Sequence, residues 1–315
     1  MSDEVSMLFI TNRVPEGSVI TEIGREFRFN MTDNTPSPSM YFCQHNEPTG
    51  HITEIGSDNL IAELRRAPHA HLLFLLHGFS NQPQDVLNSA RILQGLCNTL
   101  GDNKILVIPL IWPCEKNAGI FTRYWDDRGS ASASRAAFSR VVMRLYDGLT
   151  KPAMKQCKGI HILAHSMGNY VLSCALQEWS TLTPKRINVP FFKNSFLVAA
   201  DIEDDSLEPG KPGDLICEKS EKVVVYFAPD DRALYTSKTI RGDRYYRLGA
   251  YGPAHYSRLT NVTAVNCRAV NQKSDNFFGH SYYTDIANKE TAPGKVVQQI
   301  ISIIIHGGGP DTIYL

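Results

Sequence analysis

Short, almost wholly apolar runs alternate along this chain with stretches in which apolar residues recur every three or four positions. The runs lie at 72–76, 105–111, 160–164, 196–200, 222–227 and 262–267, each short enough for one strand. Between them, Val86, Ala90, Leu93, Leu96 and Leu100 mark one helical face. Ala136, Val141, Val142, Leu145 and Leu149 mark a second, within a helix-compatible stretch at 132–149, and Val171, Leu172, Ala175 and Leu176 a third. Pro293 opens a final predicted helix with Val297, Ile300, Ile301 and Ile304 on one side, although its β-branched content leaves a strand open there. Strands without polar alternation are buried on both faces, so the pattern predicts an α/β fold with a mostly parallel central sheet and helices on both faces. The first 68 residues differ. Runs at 7–10 and 26–30, separated by Pro, Asn and Gly, predict a two-strand, N-terminal extension of that sheet. No repeat or linker divides the chain, and residues 1–315 read as a single domain.

One junction carries chemistry. The run at 160–164 passes into His165-Ser166-Met167-Gly168-Asn169 and then into a helix. A serine on so tight a strand-to-helix turn is a nucleophile elbow, with its oxygen raised above the C-terminal edge of the sheet. The residues two before and two after the serine face each other across the turn and must be small. Here they are Ala164, in place of the commoner Gly, and Gly168. The Met167 backbone N–H, at the helix start, points towards developing negative charge. An ordinary structural turn is the plainer reading of a small-x-Ser-x-Gly string, and the flanking strand and helix argue against it.

The remaining parts follow in the expected chain order of nucleophile, acid and histidine. His77-Gly78-Phe79 ends the first core run, and the Phe79 N–H is the candidate second oxyanion donor; the plain alternative is a strand-ending turn. Three acids follow strands beyond the elbow. Asp231 stands at the usual place and is preferred, with Asp201 and Asp230 as alternatives. His280, after the last core run and beside Gly279, is the candidate base, whereas His255 and His306 fit the order poorly. His69 and His71 share a strand face, but no acid or Cys stands beside them and no HExxH occurs, so no metal site is expected. The absence of GxGxxG after the first core run removes support for a dinucleotide site.

Thr11-Asn12-Arg13, His77-Gly78-Phe79, Trp112-Pro113, the string 164–169, Asp231-Arg232-Ala233-Leu234 and Gly279-His280-Ser281-Tyr282 occur in an order that resembles a widespread group of α/β-hydrolases of unknown function. The similarity spans about residues 7–290. It implies the α/β-hydrolase fold, a triad of Ser166, Asp231 and His280, and no cofactor. That group often has Ala-Pro-Asp where this chain reads Ala199-Ala200-Asp201.

Composition narrows the partners. Lys plus Arg and Asp plus Glu number 32 each, so no basic excess points to nucleic acid. Seven scattered Cys without a CxxC pair fit reduced, buried thiols. The acidic start lacks a basic n-region, and no run of about 18 apolar residues suggests a span. The expectation is a cytoplasmic protein with no integral membrane segment; the sequence carries no mark of oligomeric state. The expected substrate is a small acyl compound, a carboxylic ester first among bond classes. Trp112, Phe121, Tyr124 and Trp125, after a core run, are the candidate lining of an acyl pocket, or else pack into the core. A non-catalytic binding or interaction module on the same fold is the alternative.

Overall fold

The computed structural model describes residues 6–115, 119–149, 157–183, 190–242, 244–274, 279–282, 294–310 and 313–315. Among them nine strands form one sheet: β1 (Ser6–Arg13), β2 (Pro36–Asn46), β3 (His51–Glu54), β4 (His71–Leu76), β5 (Ile105–Ile111), β6 (Gly159–His165), β7 (Phe192–Val198), β8 (Ser220–Phe227) and β9 (Val262–Asn266). Their order is β3-β2-β1-β5-β4-β6-β7-β8-β9. From β1 to β9 all neighbours are parallel, while β2 and β3 add antiparallel at one edge. The chain leaves β4 for β5 on one side and later returns to β6 on the other. That reversal makes the crevice at the C-terminal ends of β4 and β6 the topological switch point, where open α/β sheets bind ligands.

The helices are α1 (Gly56–Arg66), α2 (Pro83–Leu100), α3 (Ile120–Ala133), α4 (Arg135–Leu149), α5 (Gly168–Leu182), α6 (Asp214–Glu218), α7 (Arg232–Arg241), α8 (Leu248–Tyr251), α9 (Arg268–Ser274) and α10 (Lys295–His306). β4 shows why its sequence beyond His71 lacks polar positions. Leu72, Phe74 and Leu76 pack into a cluster with residues of α1, α4 and α5, and Leu73 and Leu75 into another with residues of α2 and α10. Period-two side-chain alternation thus feeds two apolar layers at once.

Two details differ from the sequence reading, both within the first 68 residues. The N-terminal extension has three strands. Residues 26–30 contribute only isolated bridges, Glu26 opposite Thr53 and Phe29 opposite Pro15. The longer β2 carries Pro36 and Pro38, which read as loop, yet proline is tolerated at the start of a strand. α1 was not foreseen; it buries Leu60, Ile61 and Leu64. The final apolar stretch is a helix, with Val297, Ile300, Ile301 and Ile304 buried, so packing overrides its β-branched composition. No described helix is long and apolar enough to cross a membrane.

Candidate active site

β6 ends at His165, and the backbone turns at Ser166 through φ +52° before α5 begins at Gly168. A non-glycine residue in that region is strained by about 1–3 kcal/mol and persists only where its surroundings hold it. Here they do. The Ser166 N–H donates to Val198 O at 3.0 Å, and the Ser166 carbonyl accepts from the N–H groups of Asn169 (3.1 Å) and Asp201 (3.2 Å) and from Asn169 Nδ2 (3.1 Å). The need for small residues is visible in space. A Cβ on Gly168 would lie 2.6 Å from both Leu76 O and His77 O. Ala164 is fully buried, so the departure from glycine there is accommodated.

Asp231 is the N-cap of α7 and wholly buried; its Oδ1 accepts from the Leu234 N–H at 3.0 Å. Its Oδ2 stands 2.7 Å from His280 Nδ1. Burial pushes the Asp231 carboxyl above its ordinary value, against the opposing pull of His280. The backbone of His280 is held in turn: its carbonyl accepts from His165 Nε2 at 3.0 Å, and the two rings lie 4.8 Å apart. Burial drops His165 to about 3, so it is neutral, with its proton on Nε2. Gly279 turns at φ +61°, where an added Cβ would meet Asn271 Nδ2 at 2.7 Å.

The turn after β4 is braced from behind. The Trp112 N–H donates to His77 Nε2 (3.1 Å), so His77 Nδ1 carries the proton and donates to Gly78 O (2.9 Å). Burial lowers this imidazole to about 4 and keeps it neutral. Trp112 Nε1 donates to His77 O at 2.9 Å, with the rings stacked 5.1 Å apart. Asn81 Nδ2 is a further donor to Gly78 O, at 3.1 Å. With that carbonyl pinned, the plane of the next trans peptide is fixed and the Phe79 N–H points the opposite way. Among the described residues, neither the Phe79 nor the Met167 N–H meets an acceptor. Ser166, His280 and Phe79 together line a cavity of about 340 Å³ at the switch point.

Residues 54–301 match the family described as alpha/beta hydrolase of unknown function (DUF900). The chain belongs to this family. No curated protein sequence matches it. Among solved structures, this α/β-hydrolase is similar to phospholipase PlaB from Legionella pneumophila, at 12% identity over 66% of this chain and 39% of that one, with a TM-score of 0.29. It thus spans about two fifths of that protein's length. It is also similar to a lipase-esterase related protein from Clostridium acetobutylicum, at 13% identity over 77% and 91% of the two chains, TM-score 0.26. A third likeness is to the metagenome-derived lipolytic enzymes LipS and LipT, at 15% identity over 45% of each chain, TM-score 0.23.

Within this α/β-hydrolase the other sequence candidates are dispersed. Asp201 lies in the cavity wall but does not meet His280. Its carboxylate accepts from Tyr124 Oη (2.9 Å) and Ser237 Oγ (2.5 Å), and Arg247 Nε is 3.5 Å away. Asp230 accepts from Asn271 Nδ2 at 3.0 Å. His71 Nδ1 pairs with His161 Nε2 at 3.1 Å, deep under the opposite end of the strands. Of the four aromatics, Tyr124 alone is in the cavity wall. Trp112 is fully buried behind the His77 turn, and Phe121 and Trp125 are exposed outside the cavity. The sequence showed aromatic residues at the right height in the chain, but not which way α3 turns them. The sequence reading missed His165, which holds the His280 loop, and the wall residues Arg123, Leu234, Ser237 and Ile240.

Proposed function

We propose that this α/β-hydrolase is a serine hydrolase that cleaves a carboxylic ester through an acyl-enzyme on Ser166. One observation carries the reading: His280, held 2.7 Å from the buried Asp231, lines the same cavity as a serine on a strained elbow. The ionised Asp231 accepts from Nδ1–H and leaves the His280 Nε2 lone pair as the base. Ser166 Oγ attacks the carbonyl carbon while Nε2 takes its proton. The Phe79 and Met167 N–H groups receive the oxyanion. As the tetrahedral adduct collapses, the C–O bond to the alcohol breaks and His280 returns the proton to the leaving oxygen. Water repeats the sequence on the acyl-serine, and the free acid departs. The scheme uses no cofactor. A wall of Phe79, Ile120, Leu234 and Ile240, and a volume near the lower end of the usual range for small-molecule sites, suit a small acyl compound.

Steady-state hydrolysis of 4-nitrophenyl acetate and butyrate tests this. Ser166→Ala and His280→Ala are each expected to lose about 10⁴-fold or more in kcat, with an unchanged circular dichroism spectrum. Turnover surviving in Ser166→Ala would sink the assignment.

A further inference from the structure

We propose that Arg123 is an anion-binding residue in the cavity wall, so that the substrate is an ester carrying a carboxylate or phosphate group. The substrate class rests on the ester-hydrolase reading, whereas the anion site does not.

Arg123 stands in the first turn of α3, its own N–H bonded to Gly119 O at 2.9 Å. The helix dipole disfavours a cation at that place, and no acidic residue occupies the turn. Its half-buried side chain lines the cavity alongside Ser166. Nη1 donates to Ser80 Oγ at 3.0 Å, and the guanidinium carbon lies 5.9 Å from the centre of the Phe79 ring. Nε is buried and meets no acceptor.

Among the described residues no carboxylate pairs with this guanidinium. Asp127, one helical turn on, is engaged elsewhere, accepting from the N–H groups of Ser80 (2.8 Å) and Glu115 (2.6 Å). Asp201, the acid of the same wall, is compensated by Arg247 and two hydroxyls. Among the described residues, the wall therefore presents a guanidinium that no carboxylate pairs with. A hydrocarbon group filling this space would strip water from the guanidinium and give nothing back. A carboxylate or phosphate would return charge-assisted, fork-matched hydrogen bonds, to which arginine is suited. The guanidinium's place beside the Phe79 ring puts this anion pocket on the flank of the proposed oxyanion turn. The anionic group thus belongs to the substrate's periphery and not to its reacting carbonyl.

The anion can sit on the acyl or on the alcohol side of the ester, and two probe pairs separate these. On the Ser166→Ala background, NMR titration compares monomethyl glutarate with dimethyl glutarate, and acetyl glycerol phosphate with acetyl glycerol. The anionic member of at least one pair is expected to bind about tenfold tighter or more. Adding Arg123→Gln should cut that ratio below about threefold, and Arg123→Lys, which keeps the charge but not the fork, should give an intermediate ratio. Dispersed NMR spectra of each variant verify the fold. No binding of any probe, a ratio near one in both pairs, or a preference that survives Arg123→Gln would overturn the inference. Turnover of the same esters by the unaltered enzyme reports on the hydrolase reading separately. Preference without turnover leaves the anion site and removes the hydrolase; turnover without preference does the reverse.

Discussion

Asp231 makes two hydrogen bonds that an asparagine would divide differently. As a carboxylate it caps α7 through Leu234 N and accepts from His280 Nδ1. An asparagine retains the cap through its oxygen, since Asn and Asp are comparable N-caps. Its amide then faces Nδ1 as a donor and drives the imidazole proton to Nε2, the atom that must act as base. Asp231→Asn is therefore expected to lower kcat by roughly 10³–10⁴. It also removes a buried carboxylate whose ionisation burial disfavours, so its melting temperature should equal or exceed that of the unaltered protein. A small kinetic effect, or a large drop in melting temperature with activity intact, would mean that Asp231 serves the fold and not the histidine. The preference for Asp231 over Asp201 rested on the strand that each follows and on the family resemblance. What engages Asp201 was not, because Tyr124, Ser237 and Arg247 arrive from three distant segments.

The elbow was readable because it is local: strand, serine and helix are contiguous in 160–169. Its physical requirement can be tested at the element level. Gly168 lets α5 approach the end of β4 so closely that Gly168→Ala would drive a methyl against two backbone carbonyls, atoms that no side-chain rotation can clear. The substitution is expected to cost about 1–3 kcal/mol in urea denaturation and to depress kcat by displacing Ser166 from the His77–Phe79 turn. An unchanged denaturation midpoint would contradict the packing described here. The cavity wall was illegible for the opposite reason. It is assembled from α3 and α7, elements on either side of the elbow in sequence, and only the helices' rotation decides that Tyr124 faces inward while Phe121 and Trp125 face out. Likewise β2 was hidden by its prolines, and α1 by an apolar face of three residues.

At the scale of the whole molecule, the sheet, its two apolar layers and the switch point follow from hydrophobic periodicity, and the family match agrees with them. Burial of polar groups sets the acid behaviour. His45, His69, His71, His77, His161 and His165 are all lowered by burial, His71 and His77 to about 4 and His165 to about 3. Between pH 6.5 and about 4 the unfolded chain takes up protons that these native imidazoles refuse, so stability present above pH 6.5 is lost as pH falls. Glu54, Asp127, Asp204 and Asp231 are raised by burial and act the other way, Asp127, raised to about 6, through most of the window. The histidines outnumber them, so the net effect is a loss of stability as pH falls. The urea midpoint is expected to be lower at pH 5.0 than at pH 7.5; an equal or higher midpoint would contradict the burial of these rings. The central claim concerns a single oxygen atom. Incubation with a fluorophosphonate probe, followed by peptide mass spectrometry, reads it most directly. Labelling at Ser166, absent in Ser166→Ala and strongly reduced in His280→Ala, is the expected result. A folded protein that stays unlabelled, or that is labelled at another residue, would contradict an activated serine at this elbow.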